Sequence, residues 1–199
     1  MRRVHPIETE SYRILRGLTD LSHLGPLCRA VAERVIYASA DLEYAESLVL
    51  DERVLKGGLG VLRRGAPIVT DVHMVAAGIT ARETLCFVSD PRARSLSELL
   101  GITRSAAGFR LAAQEARAGA IWVVGNAPTA LFELLELDLS PALVIGLPVG
   151  FVGAVESKAA LRESGLPAVS NVSEKGGSAV AAAALNALLY HPTSVEETS

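Results

Sequence analysis

From about residue 66 the chain alternates short apolar runs with helix-like stretches, about five times in succession. The apolar runs are APIVTDVHMV (66–75, a strand followed by a turn or short helix), ETLCFVSD (83–90), AIWVVGN, ALVIGLPVG (142–150) and PAVSNVS. The helical stretches between and after them are RSLSELLG (94–101), TRSAAGFRLAAQEARAG (103–119), TALFELLELD, AVESKAALRESG (154–165) and GGSAVAAAALNALLY (176–190). Strands this short and this apolar, joined through helices, predict a parallel sheet covered on both faces. The fold class read from this pattern is α/β: a parallel-sheet three-layer sandwich with helices on both faces. An N-terminal helical segment precedes it.

That segment is read from a different period. Apolar positions Leu24, Leu27, Cys28, Val31, Val35 and Ala38 recur at threes and fours and predict a helix over 24–38. Further helices are expected over 10–18, from Asp41 through Leu50, and over 52–64. Residues 1–10 read as an N-terminal arm and 191–199 as a flexible tail of a single domain spanning 1–199.

Composition narrows the function. A net charge of -3 favours neither nucleic acid nor an anionic membrane as partner. Two well-separated cysteines, Cys28 and Cys86, have no metal-site spacing and read as reduced thiols. No apolar run approaches the roughly 20 residues of a membrane span. The opening MRRVHPIETE lacks the apolar core of a secretory signal, so the expected location is cytoplasmic.

In a parallel sheet, ligands bind beyond the carboxyl ends of the strands. Four junctions gather there. Thr70-Asp71-Val72-His73 offers an acid and an imidazole, without a G-x-S-x-G nucleophile elbow. Gly125-Asn126-Ala127-Pro128-Thr129 offers an amide, a hydroxyl and backbone. Gly146 to Gly153 is glycine-rich, but its spacing is not G-x-G-x-x-G, which disfavours a nicotinamide cofactor. Lys175-Gly176-Gly177-Ser178 opens a helix, where free N–H groups and the dipole suit an anion, without a Walker spacing. Arg34 and Tyr37 share one helix face, and Thr103-Arg104-Ser105 begins another helix. Each of these has an ordinary structural reading as a cap or a solvated side chain. Together they grip anions and hold little acid–base chemistry. A sugar- or nucleotide-phosphate enzyme built on Lys175–Ser178 is one reading of such a site.

Six stretches carry a closer resemblance. HPIETESY (5–12), GAPIVTDVHMVAAGI (65–79), TRSAAG (103–108), GNAPTALF (125–132), PVGFVGAVESK (148–158) and KGGSAVAAAALNAL (175–188) resemble the precorrin-8X methylmutase family of cobalamin biosynthesis. The match runs in order along nearly the whole chain. It implies a homodimer that moves a methyl group from C-11 to C-12 of a tetrapyrrole by a [1,5]-sigmatropic shift. The product is hydrogenobyrinate or its cobalt counterpart. It implies no cofactor of the protein's own and no protein-bound metal; cobalt, where present, arrives in the substrate. A pericyclic shift within the ring explains a site with so few catalysts.

Carried over by motif, Ser11, Arg34 and Arg104 match substrate contacts, with Thr103, Asn126, Lys175, Gly176, Gly177 and Ser178 beside them. The family's acid is a histidine in an R-x-[VI]-H-A segment. Here Arg34-Val35-Ile36-Tyr37-Ala38 places Tyr37 at that position. A phenol has a reference pKa near 10, against about 6.5 for imidazole. Three readings stay open: Tyr37 is a slower donor, His73 substitutes, or the chain binds corrinoids with little or no isomerase activity. A second departure is Asn171-Val172-Ser173-Glu174-Lys175, where the family often carries an R-G-R-type run.

Overall fold

The computed structural model describes residues 5–116 and 118–192. Its centre is a five-stranded sheet in the order β1-β5-β4-β3-β2. The strands are β1 (Leu48–Val49), β2 (Ile68–Thr70), β3 (Ile121–Val124), β4 (Leu143–Gly146) and β5 (Ala168–Asn171). Strands β2 to β5 are parallel and adjacent in chain order. Only β1 runs antiparallel, pairing Leu48 with Asn171.

Among the described residues, ten helices surround the sheet: α1 (Pro6–Leu18), α2 (Pro26–Ser39), α3 (Tyr44–Ser47), α4 (Glu52–Arg63), α5 (His73–Gly78), α6 (Pro91–Leu100), α7 (Arg104–Glu115), α8 (Pro128–Glu136), α9 (Ala154–Glu163) and α10 (Ser178–Leu189). Successive strand residues point to opposite faces. Ile121, Val123, Leu143, Ile145 and Val169 join one core with residues of α2, α4 and α10. Trp122, Val124 and Val144 join a second core with Phe109, Leu131, Leu134 and Leu161 of α7, α8 and α9. A sheet buried on both faces needs apolar residues at every position, which is why these strands read as unbroken apolar runs.

Helix α10 is apolar nearly all round, and its residues Val180 to Leu188 are all buried. A helix of that composition has no solvent face and must lie inside. Its alanines let α2 and the sheet approach closely. Its one amide in that run, Asn186, donates to the Gly78 carbonyl at 2.7 Å.

Several elements differ from expectation. The helix expected from Glu10 begins at Pro6, with the His5 ring accepting from the Ile7 amide, so residues 6–10 of the expected arm are helical. Proline suits the first helical turn. Residues 1–4 and 193–199 lie outside the described residues. The expected helix from Asp41 to Leu50 is the single turn α3, because Leu48 and Val49 pair with β5 instead. The expected strand over 83–90 is one parallel bridge, Val69 to Leu85. The chain then turns at Phe87–Asp90, where the Asp90 carboxylate caps α6 by accepting from the Arg92 amide. Both cysteines are free, and burial pushes the Cys28 thiol up to about 12. No described helix is long and apolar enough to cross a membrane.

Ala40 closes α2 with φ 53°, the one positive φ among described non-glycine residues. An L side chain is disfavoured there by about 1–2 kcal/mol per residue. Ala40→Gly is therefore expected to stabilise the chain by about 1 kcal/mol and raise Tm by a few degrees in a thermal melt. A lowered Tm would show that the turn is not strained.

Candidate active site

The loops at the carboxyl edge of the sheet hold one another in place. Asp71 follows β2 and is 1% exposed. Its carboxylate accepts from the backbone amides of Gly125 (3.2 Å), Asn126 (2.8 Å) and Ala127 (2.8 Å). Burial raises its pKa, and the three amides oppose that shift. The amide groups at the start of α8 are thus occupied by an internal carboxylate. The neighbouring loops are braced likewise. Gly177 donates to the Leu147 carbonyl at 2.9 Å and Gly150 to the Glu174 carbonyl at 3.1 Å. Much of the backbone that reads as an open anion cradle in the sequence is internal bracing.

The glycine pair before α10 has its own reasons. A Cβ at Gly176 would overlap the carbonyl oxygens of Leu147 and Pro148, and Gly177 has φ 132°. Ser178 is buried, with its hydroxyl unpartnered among the described residues.

Thr103, Arg104 and Asn126 form an exposed ledge at the starts of α7 and α8. The Thr103 hydroxyl meets that of Thr129 at 2.7 Å and accepts from the Ala106 amide at 3.2 Å, so it caps α7. His73 Nε2 lies 3.0 Å from Ser89 Oγ on the same edge, both exposed. Asp71 is turned to the amides of Gly125 to Ala127 and not to His73.

Tyr37 lies elsewhere, on α2. It lines a cavity of about 310 Å³ between α1 and α2 with Ser11, Ile14, Leu15, Leu18, Ile36, Ala40 and Leu42. The lining is apolar apart from the Ser11 hydroxyl, which donates to the Ile7 carbonyl at 2.9 Å, and the Tyr37 phenol. Tyr37 stacks on Tyr12 with ring centroids 5.1 Å apart. Arg34 is one turn back, paired with Glu8 at 3.1 Å and over the Tyr190 ring at 5.7 Å. Glu8 and Tyr12 are the members of this cluster that sequence reading passed over. Their signal is the spacing 8, 12, 15, which puts them on one face of α1 with the buried Leu15.

The sequence alone reads Glu156 and Lys158 as a surface pair or local anchors, and Lys158 is an anchor rather than half of a surface pair. It is fully buried in α9. Its ammonium donates to Asn171 Oδ1 (2.8 Å), to the Lys175 carbonyl (2.8 Å) and to the Ser173 carbonyl. Burial, with the nearby Arg162 guanidinium, lowers its pKa to about 8. Lys175 points away from that turn and pairs with Asp41 and Glu43, each at 2.7 Å. Those carboxylates hold its pKa well above the ordinary lysine value. The structure thus joins the Lys175–Ser178 turn to the chain just beyond the helix of Tyr37. It carries Thr103, Arg104 and Asn126 at the starts of helices α7 and α8, which pack against the opposite face of the sheet.

With this geometry in view, relatives are informative. The profile of the family described as CbiC, precorrin-8X methylmutase, matches residues 6–191. A cobalt-precorrin-8 methylmutase of Salmonella typhimurium is 42% identical over 197 residues, covering 93% of this chain and 94% of its own. A precorrin-8X methylmutase of Sinorhizobium is 40% identical over 200 residues, covering 94% and 95%. The solved precorrin-8X methylmutase of Thermus thermophilus superposes with TM-score 0.83 at 35% identity, covering 92% of this chain and 93% of that one.

Asp71→Asn replaces an oxygen that faces backbone donors with an NH2 group. We expect a loss of about 2 kcal/mol in urea unfolding and faster amide exchange at Gly125 to Ala127. Unchanged exchange there would show that the carboxylate does not hold the loop. Lys158 titrates at about 8 when folded, against an ordinary 10.5. Between those values the unfolded chain binds more protons, so this group makes stability rise with pH. The unfolding free energy of the natural chain relative to Lys158→Met should therefore increase from about pH 7.5 to about pH 10. A flat difference across that window would refute the shift.

Proposed function

The chain belongs to the precorrin-8X methylmutase family, and from that premise we propose that it is an isomerase acting on cobalt-precorrin-8 or precorrin-8X. The bond from the migrating methyl to C-11 breaks as its bond to C-12 forms, and the ring's π electrons rearrange without net oxidation. The observation that carries this reading is the whole-chain match together with a tyrosine phenol at the wall of a mostly apolar cavity. Such a cavity suits the methyl-bearing edge of the ring. At about 310 Å³ it takes an edge and leaves the carboxylate arms outside.

In this reading Tyr37 donates a hydrogen bond or proton to the ring and recovers it after the shift. Tyr12 fixes the phenol by stacking, and Ser11, Arg34, Thr103, Arg104, Asn126 and the Gly176–Ser178 turn contact the substrate. Lys175 does not join them, because Asp41 and Glu43 already hold its ammonium. Arg34 meets an arm by sharing it with Glu8 or exchanging one carboxylate for the other. Tyr37 and Arg104 ride on helices of opposite faces, so a ring touching both reaches around the sheet edge or draws one set from a second copy. That favours a homodimer. The three-layer description is supported by the two cores on opposite faces of the sheet. We read residues 1–199 as one cytoplasmic domain, without a cofactor of its own and with any cobalt carried by the substrate.

The Tyr37 substitution itself favours a second reading, a corrinoid-binding protein with little isomerase activity. A visible-absorbance time course with cobalt-loaded and metal-free substrate separates the two. We expect the natural chain to form the corrin product, and Tyr37→Phe to lower kcat by about a hundredfold or more. If both proteins bind the ring and neither turns it over while Tyr37→His does, the binding reading replaces the enzymatic one. Full activity in Tyr37→Phe, lost on His73→Asn, would move the acid to His73.

A further inference from the structure

Lys158 and Lys175 act on one segment from opposite ends. The Lys158 ammonium, buried in α9, holds three oxygens of the β5–α10 connection: Asn171 Oδ1 and the carbonyls of Ser173 and Lys175. The Asn171 amide donates to the same Lys175 carbonyl at 2.9 Å. The Lys175 side chain leaves this braced turn and ends between Asp41 and Glu43. Asp41 directly follows Ala40, whose left-handed backbone L side chains avoid. Ala40 and Leu42 line the cavity that holds Tyr37. A strained rim persists only when its surroundings restrain it. Two contacts between full charges supply that restraint from outside the rim.

We propose that Lys158 and Lys175 form a tether. Lys158 anchors the turn, and Lys175 holds the 40–43 rim of the Tyr37 cavity. Both are positioning residues rather than grips for substrate arms. The part of this that concerns the substrate rests on the reading that the Tyr37 cavity takes the corrin edge. The substrate's carboxylates are then not needed to neutralise Lys175. A rim already closed in the free protein lowers the ordering cost of binding.

The test is amide exchange on the full, ligand-free chain, with Lys175→Gln, Lys158→Met and the double variant. Amides of Glu43, Ala45, Glu46 and Ser47 are hydrogen-bonded within the rim segment, so their exchange reports its opening. We expect Lys175→Gln to speed them about tenfold while Lys175 itself and Gly177 stay protected. Lys158→Met should speed both groups. The double variant should be no faster at the rim than Lys175→Gln alone, since one tether cannot be cut twice. In parallel, a visible-absorbance titration with cobyrinic acid should show about tenfold weaker binding by Lys175→Gln, at nearly unchanged Tm.

Natural-rate exchange at the rim in Lys175→Gln overturns the tether, as do additive effects in the double variant. Faster rim exchange with unchanged cobyrinic acid affinity overturns the positioning role. Should Lys158→Met fail to fold, Lys175→Gln decides alone by the same two readouts. If the natural chain does not bind cobyrinic acid, the corrin reading fails, and the exchange data still judge the tether.

Discussion

Helix α10 is the constraint on which the rest of the fold depends. It lies against the sheet at β3 and β4 and against α2, α4 and α5. Its apolar surface is nearly continuous, so it has no orientation that leaves one side in water. Removing it would uncover one face of the sheet and the inner face of α2 together. Its starting point is therefore also fixed. Gly176 is pressed against the Leu147 and Pro148 carbonyls, and Gly177 takes a backbone conformation that side chains disfavour. The turn that looks like a ligand cradle is first the hinge that lets α10 enter the core.

The same logic applies to the buried charges. A carboxylate or ammonium taken from water costs several kcal/mol unless its hydrogen bonds are replaced. Asp71 replaces them with three amides, and Lys158 with three oxygens. Each bond to a charged group contributes about 1.5–3 kcal/mol, so the net stabilisation is small. What these residues supply instead is definition: one loop geometry satisfies all three bonds and others do not. Asp71 defines the Asn126 junction, and Lys158 defines the turn before α10. The hydrogen bonds of both are spent on backbone and side chains of the fold.

The groups left for a reaction are correspondingly few. Tyr37 stacks on Tyr12 beside a mostly apolar cavity, and Arg34 lies a turn away beside Glu8. A hydrolase or a transferase asks for a nucleophile or a general base beside the bound ligand. A rearrangement internal to the ligand asks less: binding in the reactive form and one hydrogen-bond donor at the right atom. In the proposed function the Tyr37 phenol meets that demand from the position where the family carries a histidine.

Periodicity and motifs in the chain were enough for the α/β class, nearly all of the helices, the parallel sense of the sheet, and the family. Those features depend on local pattern, and long specific motifs survive any uncertainty in packing. The short elements were not legible. Leu48–Val49 has the apolar character of a helix end and becomes a strand only because β5 offers an open edge. ETLCFVSD has strand composition and makes a single bridge because Asp90 and Pro91 begin a helix too soon after it. The roles of Asp71, Lys158 and Lys175 were equally hidden. Their partners lie from 13 to 134 positions away in sequence, a separation no local pattern encodes. Tertiary structure alone decided which polar groups face inward as braces and which remain for a ligand. That choice is made by burial, because only a group removed from water must find its partner within the chain.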